Sequence, residues 1–160
     1  MKTLFLLRHA KSSWDNPNLS DFQRPLNNRG IQNAIELSGF LIKKGIYPDT
    51  VLVSSSHRTL ETLELAGKHF SDDIINIKDL IYHASVETLL NLLEIQENKE
   101  TILLVGHNPS MHYLTEILTG SRIDKFPTCA LAEIQLTTSW VDIRNVSHTL
   151  VNFYIPKDYA

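Results

Sequence analysis

Apolar residues along the chain fall into short unbroken runs separated by stripes at helical spacing, and the two kinds of pattern alternate. Thr3 to Leu7 is a continuous apolar run ending in Arg8-His9, the profile of a strand buried on both faces. Arg8 to Leu26 is polar, holds Pro17 and Pro25, and reads as a long functional loop. Ile31, Ala34, Ile35, Ser38, Leu41 and Ile42 then recur at helical spacing until Gly45 and Pro48 stop the pattern. Thr50 to Val53 predicts a second strand, followed by a helix from about His57 to Phe70 with Leu60, Leu63, Gly67 and Phe70 as its buried stripe.

Ile74 to Ile77 predicts a short strand, and Ser85-Val86-Glu87-Thr88 a capped helix start leading into Leu89, Leu90, Leu92 and Leu93. Thr101 to Val105 is a clear buried strand. Asn108-Pro109 after it places proline in the first turn of a helix running to about Thr119 and closed by Gly120. Ala130 to Leu136 and Thr149 to Ile155 predict an antiparallel pair at a sheet edge. The expected fold is α/β: a three-layer α/β/α sandwich with a mostly parallel central sheet and an antiparallel edge, residues 1–160 forming a single domain.

Composition narrows the partners. The 160 residues bury roughly two thirds of their unfolded surface around one core. A net charge of −3 gives no broad basic surface, so nucleic acid is not an expected partner and any anion site is local. The opening apolar run is interrupted at Arg8 and His9, too early for a signal core, and no later run is long enough to span a membrane. A cytoplasmic protein is therefore expected, and the lone Cys129, which has no internal disulfide partner, agrees with a reducing compartment.

In a mostly parallel sheet, the loops after the carboxyl ends of the strands form the ligand crevice. Three such loops carry Arg8-His9, Ser54-Ser55-Ser56-His57-Arg58 and Gly106-His107-Asn108, and Arg24 lies in the first of them. Two histidines and two or three guanidiniums at one place, next to a helix start, call for an oxyanion. Phosphoryl transfer needs an in-line nucleophile and stabilised equatorial oxygens. A neutral His9 suits the first task; Arg8, Arg24, Arg58, His107 and Asn108 suit the second.

Leu6-Leu7-Arg8-His9-Ala10, Ser54 to Arg58 and Gly106-His107-Asn108-Pro109 resemble the motifs of the histidine phosphatase superfamily, a phosphoglycerate mutase-like fold. Arg24-Pro25-Leu26, Leu80 to Ser85 and Phe126 to Ala130 extend the likeness to its short, SixA-like branch of phosphohistidine phosphatases. The resemblance implies that His9 is phosphorylated in turnover, that Arg8, Arg58 and His107 complete the phosphate pocket, and that Arg24 is a further phosphate-binding arginine. It implies a metal-independent phosphatase without cofactors, acting on a phosphohistidine protein or a small phosphoester. Two departures matter: Ala10 stands where the family commonly has Gly, and the inserted segment carrying a carboxylate acid in larger members is missing. His83 and Glu87 are the nearest candidates for a general acid. An imidazole leaving group needs less help than an alkoxide, which favours phosphohistidine.

Blander readings stand beside these. Arg24 also suits a structural ion pair across the loop. His57, His69, His112 and His148 read as surface or helix residues, and Trp14 and Tyr113 as packing. His107 and His112 are five apart and do not share a helix face well, so no metal site is expected. A cysteine phosphatase loop needs Arg six residues after Cys129, where Gln135 stands, and the scattered glycines form no nucleotide-binding loop. The histidine acid phosphatase signature does not follow His9 either, since Ala10-Lys11-Ser12-Ser13-Trp14 comes next. The competing functions are a mutase-like transferase and a non-catalytic phosphate-binding module. A histidine nucleophile must be neutral to attack, so the arginines around His9 are expected to move its titration to acidic pH.

Overall fold

A computed structural model describes residues 1–160. Six strands form one sheet: β1 (Thr3–Arg8), β2 (Thr50–Ser54), β3 (Ile75–Lys78), β4 (Thr101–Gly106), β5 (Leu131–Gln135) and β6 (Thr149–Tyr154), in the order β3-β2-β4-β1-β5-β6. The pairings β3–β2, β2–β4 and β4–β1 are parallel; β1–β5 and β5–β6 are antiparallel. Four helices connect them: α1 (Asn28–Lys44), α2 (His57–Ala66), α3 (Val86–Glu94) and α4 (Ser110–Thr119).

The layers follow from the two-residue period of the central strands. Leu4, Leu6, Ile102 and Leu104 face one side, where they meet Leu89 and Leu93 of α3, Met111 and Leu114 of α4, and Trp140. Phe5, Leu7, Leu103 and Val105 face the other, against Ala34, Leu37 and Leu41 of α1 and Leu63 and Ala66 of α2. Both faces are covered, so these strands read as unbroken apolar runs rather than alternating ones.

Two helices differ from the sequence expectation. In α1 the buried positions are Gly30, Ala34, Leu37, Phe40 and Leu41, while Ile35 and Ile42 are exposed. The phase is set by Gly30, which approaches the Lys11 backbone so closely that an added Cβ would lie 2.1 Å from the Lys11 carbonyl oxygen. Helix α2 ends at Ala66 and buries Arg58, Thr59, Thr62, Leu63 and Ala66; of the expected stripe, Leu63, Gly67 and Phe70 are buried, the last two beyond the helix end, and Leu60 is half-buried. Its hydroxyls tolerate burial because they are bonded: Thr59 Oγ1 donates to Ser54 O at 2.7 Å and Thr62 Oγ1 to Arg58 O at 2.7 Å.

The caps behave largely as the residue types demand. Asn27, Ser56 and Ser85 accept from backbone amides at the starts of α1, α2 and α3, and Gly45 and Gly120 close α1 and α4 in the left-handed conformation. Pro109 stands one residue before α4, at the cap position, rather than inside the first turn. No helix is long and apolar enough to cross a membrane.

Candidate active site

Strands β2, β4 and β1 are adjacent, so the three motif-bearing loops leave the sheet side by side. Arg8 pairs in register with Gly106, and the His9 amide donates to Gly106 O at 3.1 Å, continuing the β1–β4 ladder one step beyond the strand. That step sets His9 beside His107. The start of β5 closes the other flank, where the Cys129 amide donates to Arg8 O and His9 O at 3.1 and 3.0 Å, with Cys129 itself at φ 62°.

The His9 and His107 rings face one another with centroids 5.4 Å apart and planes inclined by 54°. His9 Nδ1 lies 2.7 Å from Ala10 O. A carbonyl only accepts, so Nδ1 carries the proton and the Nε2 lone pair is left for chemistry. Ala10 is fixed in turn, its amide donating to Thr62 Oγ1 at 2.9 Å. His107 Nε2 lies 2.8 Å from Ser54 Oγ, and its Nδ1 is 3.5 Å from an Arg58 nitrogen. Tyr82 stands edge-on to the His107 ring at 5.5 Å.

The arginines surround these rings. Arg8 Nη1 donates to Phe126 O at 3.0 Å, a carbonyl that also accepts from Asn108 Nδ2 at 2.9 Å, and Arg8 Nε is buried without a partner. Arg58 donates through Nη1 to Asp21 O at 2.7 Å and through Nη2 to Asp21 Oδ2 at 3.0 Å. Arg24 donates through Nε to Ser13 O, through Nη1 to Asp21 Oδ1 and through Nη2 to Ser12 Oγ, at 3.0, 3.0 and 2.5 Å. Its guanidinium lies 3.2 Å from the centre of the Trp14 ring, which is otherwise exposed rather than packed in the core. Arg24 thus makes the ion pair of the blander reading, and makes it with the same carboxylate that holds Arg58.

The histidines are neutral well below the usual range. Burial is the largest influence on His9, opposed in part by its bond to Ala10 O; Arg58, Arg8 and Arg24 lower it further, to about 4. Burial therefore outweighs the arginines expected to govern the shift. His107 is pushed down to about 3 by burial first, then by His9, Arg58 and His83. For Asp21, burial raises the pKa, but the Tyr82 hydroxyl, Arg58 and Arg24 together hold it well below the usual carboxylate range.

A cavity of about 560 Å³ opens beside the rings, lined among others by Asp21, Arg58, His83, His107, Asn108 and Tyr113. Tyr113, expected to pack, instead forms part of this wall. His83 is the candidate acid that reaches the cavity; it adopts φ 57° and stacks on Tyr82 at 3.9 Å. Glu87 does not reach it. Its carboxylate is exposed on α3 and accepts from Arg144 Nη1 at 2.7 Å, so the helix start turns it toward the surface.

Elsewhere, His57 is exposed beside Glu61, and His112 bonds Ile123 O from α4. His148, expected at the surface, is buried: its Nδ1 accepts from the Thr137 amide at 3.1 Å and its Nε2 donates to Ile143 O at 2.8 Å. His69 has both ring nitrogens buried without a partner. No group of three or more His, Cys, Asp or Glu side chains is placed to hold a metal ion.

Sequence reasoning missed Asp21 and Thr62, and gave no role to Ser54 or Tyr82 although both lie in motif segments it singled out. Asp21 sits three residues before Arg24, a spacing that hints at a pair, but nothing separates it from Asp15 in the same loop. Chemically, the site offers an unprotonated imidazole nitrogen facing a second imidazole, with three guanidiniums around them: the requirements for receiving a tetrahedral oxyanion and attacking it in line.

The comparisons agree with that chemistry. Residues 4–81 match the model of the histidine phosphatase superfamily, branch 1. An uncharacterised Mycobacterium tuberculosis protein is 30% identical over 162 residues, covering 94% of this chain and 100% of the relative. An uncharacterised chloroplastic protein of Arabidopsis thaliana is 32% identical over 152 residues, covering 87% of this chain and 69% of its own. Among solved structures, the protein provisionally named phosphohistidine phosphatase SixA from Agrobacterium tumefaciens superposes with a TM-score of 0.84 at 30% identity, covering 97% of this chain and 99% of that one. The protein histidine phosphatase SixA complexed with tungstate gives 0.85 at 23% identity, over 99% of each chain. With the family's fold, its motifs at the ends of three neighbouring strands and relatives matched along their length, this chain belongs to the histidine phosphatase superfamily.

Proposed function

We propose that the chain is a metal-independent protein phosphohistidine phosphatase that works through a phosphohistidine intermediate on His9. The observation that carries the reading is the pair of facing imidazoles, with His9 Nδ1 committed to Ala10 O and Nε2 therefore free. Nε2 attacks phosphorus as the bond to the leaving group breaks, and water then cleaves phospho-His9 to release phosphate. Arg8, Arg24, Arg58 and Asn108 bind the equatorial oxygens. His107, kept neutral mainly by burial, donates its remaining ring N–H to the same group while Ser54 Oγ serves its other nitrogen.

The cavity wall discriminates among leaving groups. Asp21 is its single carboxylate and is tied to two guanidiniums and a phenol, so it has no proton to give near neutral pH. An alkoxide leaving group has no carboxylic acid to serve it. A phosphorylated imidazole with a proton on its other nitrogen departs as a neutral molecule and needs none, and His83 remains to assist slower esters. On this reading residues 1–160 act as one domain, the sheet taking strands from both ends of the chain.

The test is one assay series in EDTA comparing a phosphohistidine protein with aryl and alkyl phosphoesters, for wild type and His9→Ala. The reading expects turnover in EDTA, preference for phosphohistidine and loss of turnover in the variant. Preference for an alkyl phosphoester assigns a small-molecule phosphatase instead, and phosphate binding without turnover assigns a binding module.

A further inference from the structure

Asp21 poses a problem for an anion site. Its carboxylate lines the cavity beside Arg58 and His107, where it repels the group the arginines attract. The obvious explanation is that it holds Arg24 and Arg58 in place, yet each has other anchors. Arg58 donates to the Asp21 backbone carbonyl at 2.7 Å, a bond independent of the side chain. Arg24 is fixed by Ser13 O at 3.0 Å, by Ser12 Oγ at 2.5 Å and by the face of Trp14. Beyond its bonds to Arg24, Arg58 and Tyr82, the carboxylate brings a negative charge into the pocket.

Around the two rings stand three guanidiniums, Arg8, Arg24 and Arg58, and one carboxylate, giving a formal charge of +2 when both histidines are neutral. A phosphoryl dianion carries about −2 above its second pKa of about 6. Building on the proposed function, we infer that Asp21 is an internal counter-ion: it matches the pocket's charge to a single phosphoryl dianion, so that phosphate is held firmly enough to react and released readily afterwards. Tyr82 donates to Asp21 Oδ2 at 2.7 Å without changing that charge.

The test is calorimetric titration of inorganic phosphate, and separately of tungstate, into wild type, Asp21→Asn, Asp21→Glu and Tyr82→Phe at low and high salt. Asp21→Asn is expected to bind phosphate at least about threefold more tightly, the gap narrowing with salt because the carboxylate is partly exposed. Its steady-state turnover should show correspondingly stronger inhibition by phosphate. Asp21→Glu and Tyr82→Phe keep the charge and are expected to stay close to wild type. Equal or weaker binding by a folded Asp21→Asn overturns the inference and makes Asp21 a positioning residue; tightening in Tyr82→Phe as large as in Asp21→Asn overturns it also. If Asp21→Asn does not fold, weakened binding in Asp21→Glu does the same. Wild type binding neither oxyanion sinks the proposed phosphate site itself, an outcome separate from the others.

Discussion

Lowering the pH from 7 to 5 separates a buried imidazole from an ordinary one. A histidine at the usual pKa of about 6.5 is only about 3% neutral at pH 5. With its pKa pushed down to about 4, His9 remains about 90% neutral there, so the proposed nucleophile keeps roughly a thirtyfold advantage. The same factor enters stability. The folded pKa lies below the unfolded one, so the unfolded chain binds more protons between about pH 4 and 6.5, and stability is complete above that window and lost as pH falls through it. For His9 alone the loss at pH 5 is about 2 kcal/mol.

Two measurements follow from that arithmetic. In the free enzyme, a ¹⁵N NMR titration should show the His9 ring keeping its Nδ1-protonated form to below pH 5. The value of kcat/KM, divided by the substrate's own titration, should change less than about twofold between pH 7 and 5 while denaturant unfolding shows the loss of stability. A His9 midpoint near 6.5, with kcat/KM falling about thirtyfold by pH 5, would refute the reasoning by showing that burial does not control the ring.

Three substitutions probe the support around the site. Gly30→Ala places a methyl 2.1 Å from Lys11 O, whose carbonyl also accepts from the Asn27 amide, so the loop after His9 must shift; a loss of about 1–3 kcal/mol and reduced turnover are expected, and unchanged melting and activity would contradict the close approach. Thr62→Val keeps the shape but leaves the Ala10 amide without its acceptor, for an expected loss of about 1–3 kcal/mol in denaturant unfolding, which Thr62→Ser should largely restore. Glu87→Ala should leave kcat/KM within about twofold because the side chain pairs with Arg144 at the surface, whereas His83→Gln should slow alkyl phosphoesters more than aryl phosphates.

The sheet was legible because its central strands are buried on both faces and their apolar runs stop abruptly at polar residues. That same abrupt stop located Arg8-His9 and His107. Helix phase was less legible, since Ile35 and Ile42 are apolar yet exposed while Gly30, Thr59 and Thr62 carry the contact. A close backbone approach or a bonded hydroxyl has no hydrophobic signature. Arg24, Arg58 and His148 are buried against their residue type because each finds partners that only folding assembles. Asp21 was illegible for the same reason: its partners lie at positions 24, 58 and 82, brought together by three separate elements.

The central claim is that His9 carries the phosphoryl group. Rapid quenching of wild-type enzyme mixed with a radiolabelled phosphohistidine protein, followed by peptide mapping under alkaline conditions, measures it directly. The account predicts a transient, acid-labile and alkali-stable label on the peptide containing His9, absent from His9→Ala. Turnover with no label on the enzyme, or a label mapping to another residue, would contradict it.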